Sequence, residues 1–182
     1  MNRKKTVVIT GMIALTRRIF LDNPKYTNLD YYQSIVNAEK MIGLSNEQYY
    51  QFLLREQLEK DKHILENKSE DSLLLIEEWH IGNIAWIGTI NKDDAQKYEM
   101  SVQEQIVRLS KDITIWYVST DIEKFFGKEA DKYRLYLEGL TRLSKKYGLT
   151  YETLDGDVNF DLLDKRISYL LRDSDATRIP KI

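Results

Sequence analysis

Three short apolar runs constrain the fold of this chain more than any other feature. They are TVVIT at Thr6–Thr10, LLLIEEW at Leu73–Trp79 and ITIWYVST at Ile113–Thr120. None alternates polar with apolar, as a strand with one wet face would, so each reads as a strand covered on both faces. The stretches between them carry helical periodicity, and LTYETLDG supplies a fourth strand closed by a turn. Buried strands separated by helices of this length imply parallel βαβ units, and right-handed crossovers then place helices on both faces. The expected fold is α/β and three-layered, with a mostly parallel sheet flanked by helices, in one domain spanning 1–182. Ligands of such sheets bind beyond the strand C-termini. The residues of interest are therefore Gly11 onward, Glu77 to His80, and Ser119 to Asp121.

The helical segments follow from period and caps. Met12, Ile13, Leu15, Ile19 and Phe20 suit a helix with one apolar side after Gly11, and DNPKYTN is turn chemistry. From Asp30 a helical pattern runs through Tyr31, Ile35, Ala38 and Ile42, with Gly43 as its C-cap. Ser45 and Gln48 stand at capping-box spacing. They open a helix expected to bury Tyr49, Phe52, Leu53 and Leu58 and to expose its charges. HIGNIAWIG reads as a loop passing into a helix. SVQEQIVRLSK, DKYRLYLEGLTRLSKKYG and FDLLDKRISYLLRDS read as helices, the second ending at Gly148. Trp79, Trp86 and Trp116 are expected in the core. Tyr49, Tyr50, Tyr133 and Tyr136 are expected to pack with their hydroxyls outward.

Composition removes several function classes. Lys and Arg number 27 against 29 Asp and Glu, which gives no bulk pull toward nucleic acid or an anionic membrane. Cysteine is absent, which excludes disulfides and thiolate metal sites. The two histidines, His63 and His80, lie too far apart in sequence for a local metal motif. MNRKK followed by TVVITGMIALT has the outline of a signal peptide. However, RRIF follows without a small-residue cleavage site, and the apolar run falls short of the ~20 residues that cross a bilayer. The expectation is a cytoplasmic protein.

In order and spacing across most of its 182 residues, the chain resembles thymidylate kinase and related nucleoside and nucleotide kinases of the P-loop class. VVITG is similar to the strand that leads into a phosphate loop. YYQFLLREQLEKDKHI resembles the helix of the nucleotide site. LLLIEEWHIGNIAW resembles the strand that ends in Asp-Arg plus an aromatic, followed by a helix. ITIWYVSTDIE is similar to the strand before the lid, and YETLDGD to the last strand with its Asp. The resemblance implies a nucleotide ligand, with ATP and magnesium as the cofactors of an active member.

The motifs that would carry that chemistry are altered. A phosphate loop reads G-x-x-x-x-G-K-[ST]. Counting from Gly11, this chain has GMIALTRR, so Thr16 replaces the second glycine, Arg17 the lysine and Arg18 the hydroxyl residue. A cradle of backbone N–H groups needs conformations that glycine adopts cheaply and a β-branched residue does not. Losing the Ser or Thr removes a magnesium ligand. A second alignment deletes the loop after Gly11 and leaves MIALTRRIF as the helix behind it. At the second strand, Glu77 and Glu78 stand where the family presents Asp-Arg. Glu78 thus replaces a phosphate-neutralising cation with an anion. The lid segment DIEKFFGKEADKYR offers Lys124, Lys128, Lys132 and Arg134, offset by four acids.

The candidate site residues follow from this comparison. Glu77 and Glu78 are the catalytic candidates, either of them as base for a sugar hydroxyl or as metal ligand. Gly11, Thr16, Arg17, Arg18, His80 and Arg134 are the nucleotide-binding candidates. An arginine pair binds phosphate bidentately, so it can take over from lysine and magnesium in binding though not in activating the transferred group. Three functions remain open. The first is a degenerate kinase-like protein that binds a nucleotide or a protein partner with little or no phosphoryl transfer. The second is an active nucleoside or nucleoside-monophosphate kinase with a variant loop. The third is a structural or assembly subunit in a homo- or hetero-oligomer, with MIALT as an interface.

Overall fold

The computed structural model describes residues 6–11, 30–32, 43–66, 73–119, 127–155 and Lys165. In chain order these residues form β1 (Thr6–Gly11), β2 (Asp30–Tyr32), α1 (Asn46–Glu66), β3 (Leu74–Glu77), α2 (His80–Gly88), α3 (Lys92–Leu109), β4 (Ile113–Ser119), α4 (Ala130–Lys146) and β5 (Thr150–Asp155). The strands make one sheet in the order β2-β3-β1-β4-β5. Every neighbouring pair is parallel. The strand β1 lies centrally: Val7 pairs with Leu75 of β3 on one side and with Thr114 of β4 on the other. Its residues from Thr6 to Thr10 are all buried, as a run without alternation requires.

One helical expectation is overturned. Asp30–Tyr32 is an edge strand paired with Leu74–Ile76, not the start of a helix. The two tyrosines carry strand propensity, and the open side of β3 gives their backbone a ladder to join. The remainder of that predicted helix, the GMIALTRR segment after Gly11, the turn DNPKYTN and nearly all of the terminal helix lie outside the described residues.

The helix ends are built as their sequences dictate. Ser45 N–H donates to Gln48 Oε1 at 2.9 Å and Gln48 N–H donates to Ser45 Oγ at 3.3 Å, completing the capping box of α1. Asn91 Oδ1 accepts from the amides of Asp93 and Asp94 at the start of α3. Those two acids also sit favourably at the positive end of the helix dipole. The C-terminal end of α4 closes as a Schellman turn: Leu149 N–H reaches Ser144 O at 2.9 Å and Gly148 N–H reaches Lys145 O at 3.3 Å. Gly148 supplies the positive φ of 63° that this turn needs.

HIGNIAWIG is helical throughout, with no loop at its start. Two glycines dilute its helical pattern, yet the helix is apolar on nearly every side and is buried between α3 and α4. Its contact with α4 is close: a Cβ on Gly139 would stand 3.2 Å from Ala85 Cβ and 3.4 Å from Ala85 Cα. Gly139→Val should therefore push α2 and α4 apart and cost ~1–2 kcal/mol. The measurement is the chemical-denaturation midpoint, with Ser144→Ala, on the same helix, as control.

Candidate functional site

β1 lies between β3 and β4 in a parallel sheet, and in such sheets ligands bind beyond the strand C-termini. The residues gathered there are Thr10 and Gly11 from β1, Glu77 and Glu78 from the end of β3, Tyr136 from α4 and Lys60 from α1.

Glu78 is the centre of this group. It follows directly on β3, and its amide donates to Ile9 O at 2.9 Å, extending the ladder by one residue. Its φ is +52°, the single positive value for a non-glycine residue among the described residues. A glutamate in this region costs of order 1 kcal/mol or more, and such strain clusters where a side chain must be aimed. Here the turn aims the carboxylate at β1. Thr10 Oγ1 donates to Glu78 Oε1 at 2.7 Å, and the Gly11 amide points at the same oxygen from 3.4 Å. Tyr136 Oη lies 2.5 Å from Thr10 Oγ1 and 3.5 Å from Glu78 Oε1. A threonine hydroxyl has one proton to give. When it goes to Glu78, Tyr136 is the donor to Thr10, and the three groups form a chain. The other carboxylate oxygen lies over Gly82: a Cβ there would come within 2.0 Å of Oε2. A helical glycine at this position leaves the volume the carboxylate fills.

Burial pushes the Glu78 carboxyl up to about 7, and the bonds from Thr10, Gly11 and Tyr136 with the Lys60 charge only partly oppose it. Tyr136 is raised far above the usual phenol range, first by its own burial and then by the Glu78 charge. Its ring packs edge-on to Trp86 at 5.9 Å and against Tyr133 at 5.5 Å. Lys132 Nζ lies 4.6 Å from the centre of the Trp86 ring.

Behind the tip, a polar layer joins α1 to the end of β3. Lys60 is wholly buried. Its ammonium donates to Glu77 O at 2.7 Å and Glu78 O at 3.1 Å, and pairs with Glu56 Oε1 at 3.2 Å. Three protons thus meet three acceptors, which is how a buried lysine is tolerated. Burial lowers its pKa from the ordinary lysine value, against the opposing pull of Glu56. The next residue, Asp61, is also buried. Its Oδ1 accepts from Trp79 Nε1 at 2.7 Å and its Oδ2 meets His80 Nε2 at 2.8 Å.

Several side-chain expectations are corrected by this arrangement. Lys60 and Asp61, expected among the solvated charges of α1, are interior, while Leu58, expected in the core, is 41% exposed. Tyr136 does not turn its hydroxyl to water; it is buried and bonded to Thr10. Trp79 and Trp116 are core residues as expected, while Trp86 is half-buried.

Of the sequence candidates, Gly11, Glu77 and Glu78 come together at the strand tips. Glu77 is fully buried within β3, opposite Ile9, whereas Glu78 keeps partial exposure. His80 is enclosed, with no surface to offer a ligand directly, and works against Asp61. Arg134 lies on α4 with its guanidinium 2.5 Å from Asp131 Oδ1. Thr16, Arg17 and Arg18 lie outside the described residues. Sequence reasoning missed Thr10, Lys60, Gly82 and Tyr136. Only Thr10, as the last residue before the strand-ending glycine, had a positional signal.

Comparison with solved structures agrees with this fold. A thymidylate kinase from Candida albicans superposes with a TM-score of 0.66 at 11% identity, covering 92% of each chain. The chain shares the fold of that thymidylate kinase. YorR from Bacillus subtilis, solved in complex with phosphorylated GDP, gives 0.57 at 10% identity over 92% of this chain and 96% of its own. A thymidylate kinase from Ehrlichia chaffeensis gives 0.55 at 12% identity over 96% and 98%. No family model matches the sequence, and no curated protein matches it. Among the described residues no helix is long and apolar enough to cross a membrane.

Proposed function

We propose that this chain is a degenerate relative of the nucleotide kinases that binds a nucleotide or a protein partner and transfers phosphoryl groups slowly or not at all. One observation carries the reading. At the tip of β1, where the fold's phosphate site begins, a carboxylate rests on the first amide and hydroxyl. That arrangement opposes a polyphosphate at the point where catalysis would need to neutralise it. The sequence beyond Gly11 adds to the argument, since Thr16, Arg17 and Arg18 replace the glycine, lysine and hydroxyl of the usual loop. In this reading the Arg17 and Arg18 guanidiniums supply the remaining affinity for phosphate.

A second reading is favoured by one specific feature. A carboxyl held near neutrality at a strand tip has the affinity for protons that a general base needs. On that reading Glu78 takes the proton of a hydroxyl acceptor in an active nucleoside kinase. Differential scanning of the purified protein with a nucleotide panel separates the outcomes. A nucleotide present at ten times its Kd should stabilise the fold by ~1.4 kcal/mol. Turnover of ATP with common nucleosides or monophosphates should stay at background. Rapid transfer to any of them would replace the first reading by the second, and no shift with any nucleotide would leave a protein partner as the ligand.

A further inference from the structure

Glu78 has a second consequence at the same site, and it rests on the view that the tip of β1 is where this fold meets its ligand. A phosphate group arriving there would be received by what the strand end offers: the Gly11 amide and the Thr10 hydroxyl, beside the first turn of α2, whose dipole favours negative charge. All of these are already engaged by the chain itself. Thr10 and Gly11 both bond Glu78 Oε1, and Oε2 lies against Gly82 in that first turn. The fit is built into three separate elements. β1 ends in a hydroxyl and in a glycine with φ 101°. The β3–α2 junction holds a glutamate at positive φ, with Lys60 fastened to the carbonyls of Glu77 and Glu78, in the peptide groups on either side of Glu78. α2 carries a glycine where any Cβ would evict the carboxylate. A carboxylate that met the strand tip by chance would need none of these.

We infer that Glu78 is the specificity-determining residue of the strand-tip site: its carboxylate is a resident anion that holds the phosphate seat. The tip therefore accepts the hydroxyl- or amine-bearing end of a ligand in place of a phosphate. A donor group can add to a carboxylate whose lone pairs are not all used, whereas a phosphate must displace it or wait for its protonation. The charged and titratable groups that face Glu78 among the described residues are Lys60 from α1, and the phenols of Tyr49, Tyr117, Tyr133 and Tyr136 from α1, β4 and α4. The phenols are neutral between pH 5 and 8, since burial only raises them further, and the Lys60 ammonium is turned to the Glu77 and Glu78 carbonyls and to Glu56, away from Thr10 and Gly11. Among these groups, Glu78 is the carboxyl that bonds both Thr10 and Gly11, so its protonation is the one that frees them.

The test uses inorganic pyrophosphate as probe, by isothermal titration on the full chain. At pH 8, Glu78→Gln should bind pyrophosphate at least about tenfold more tightly than the parent, since a full negative charge next to the anion is removed. At pH 5.5 the parent should gain affinity and the gap should narrow. Glu78→Gly is the second variant: it removes the carboxylate, suits the positive φ at this position and should also raise affinity at pH 8. The Gly11 amide signal should follow the Glu78 titration in the parent and lose that dependence in both variants. Equal pyrophosphate affinity in parent and variants at pH 8, including no binding by any of them, would overturn the inference. A gain in the variants with no thermal shift from any nucleotide would uphold it while removing the nucleotide reading.

Discussion

Asp61→Ala should cost the fold about 3–5 kcal/mol, a large part of the stability of a domain this size. The carboxylate serves two buried donors at once, Trp79 Nε1 at 2.7 Å and His80 Nε2 at 2.8 Å. Both partner side chains are wholly buried, so water cannot replace the lost acceptor. Each orphaned donor carries a desolvation cost of about 1–3 kcal/mol, and truncation also leaves a small void. Asp61→Asn keeps the shape and one acceptor oxygen, so it should cost markedly less. Guanidinium denaturation followed by tryptophan fluorescence reads both. The alanine variant should show a lower midpoint with an unchanged slope, and Trp79 emission should move as its indole loses its partner. A midpoint within 1 kcal/mol of the parent would show that this buried layer does not hold α1 to the β3–α2 junction.

The prominence of Asp61 and Lys60 also marks the limit of what hydrophobic pattern reveals. Three of the strands were legible because fully buried strands are short unbroken apolar runs, and TVVIT, LLLIE and ITIWYV have that form. The capping box of α1 and the glycine end of α4 were legible because both are local chemistry. β2 was not, since three residues carry too little pattern and its assignment depends on the free side of β3. Lys60 and Asp61 were misplaced for a related reason. Period counts a charge as solvent-facing, and only the approach of β3 turns these two inward, where carbonyls, an indole and an imidazole meet them.

The candidate site was half legible. Glu77 and Glu78 could be placed at a strand end, and the contrast with Asp-Arg could be seen, but the two acids could not be told apart. Their division comes from backbone: the strand holds Glu77 inside, and the positive φ at the next residue swings Glu78 toward Thr10. Tyr136 lies 126 residues from Thr10, and no sequence period spans that distance. Gly82 falls where the sequence reads as loop, and its role as the space for a carboxylate depends on the distant Glu78 turn.

Glu78→Gln should remove a pH dependence that the parent carries. In the unfolded chain the carboxyl titrates near 4.5, and in the fold near 7. Between those values the folded state holds more protons than the unfolded state, so stability falls as pH rises through this window. The contribution is fully present below 4.5 and gone above about 7. The span corresponds to on the order of 3 kcal/mol, and partial exposure of the carboxylate makes this an upper value. Glu99 works in the opposite sense. Burial pushes it up, but bonds from Lys146 and Tyr147 at 2.7 and 2.6 Å, with the Lys146 and Arg142 charges, outweigh burial and leave it below its ordinary value. Its stabilisation is lost as pH falls. The difference between parent and Glu78→Gln cancels this term and isolates the strand tip. The variant should match the parent near pH 4 and exceed it by about 2–3 kcal/mol at pH 8. A parallel pair of stability curves would mean that the carboxylate titrates in the fold as it does in the unfolded chain. A variant less stable at pH 8 would mean that the ionised form is the one the Thr10, Gly11 and Tyr136 donors hold in place.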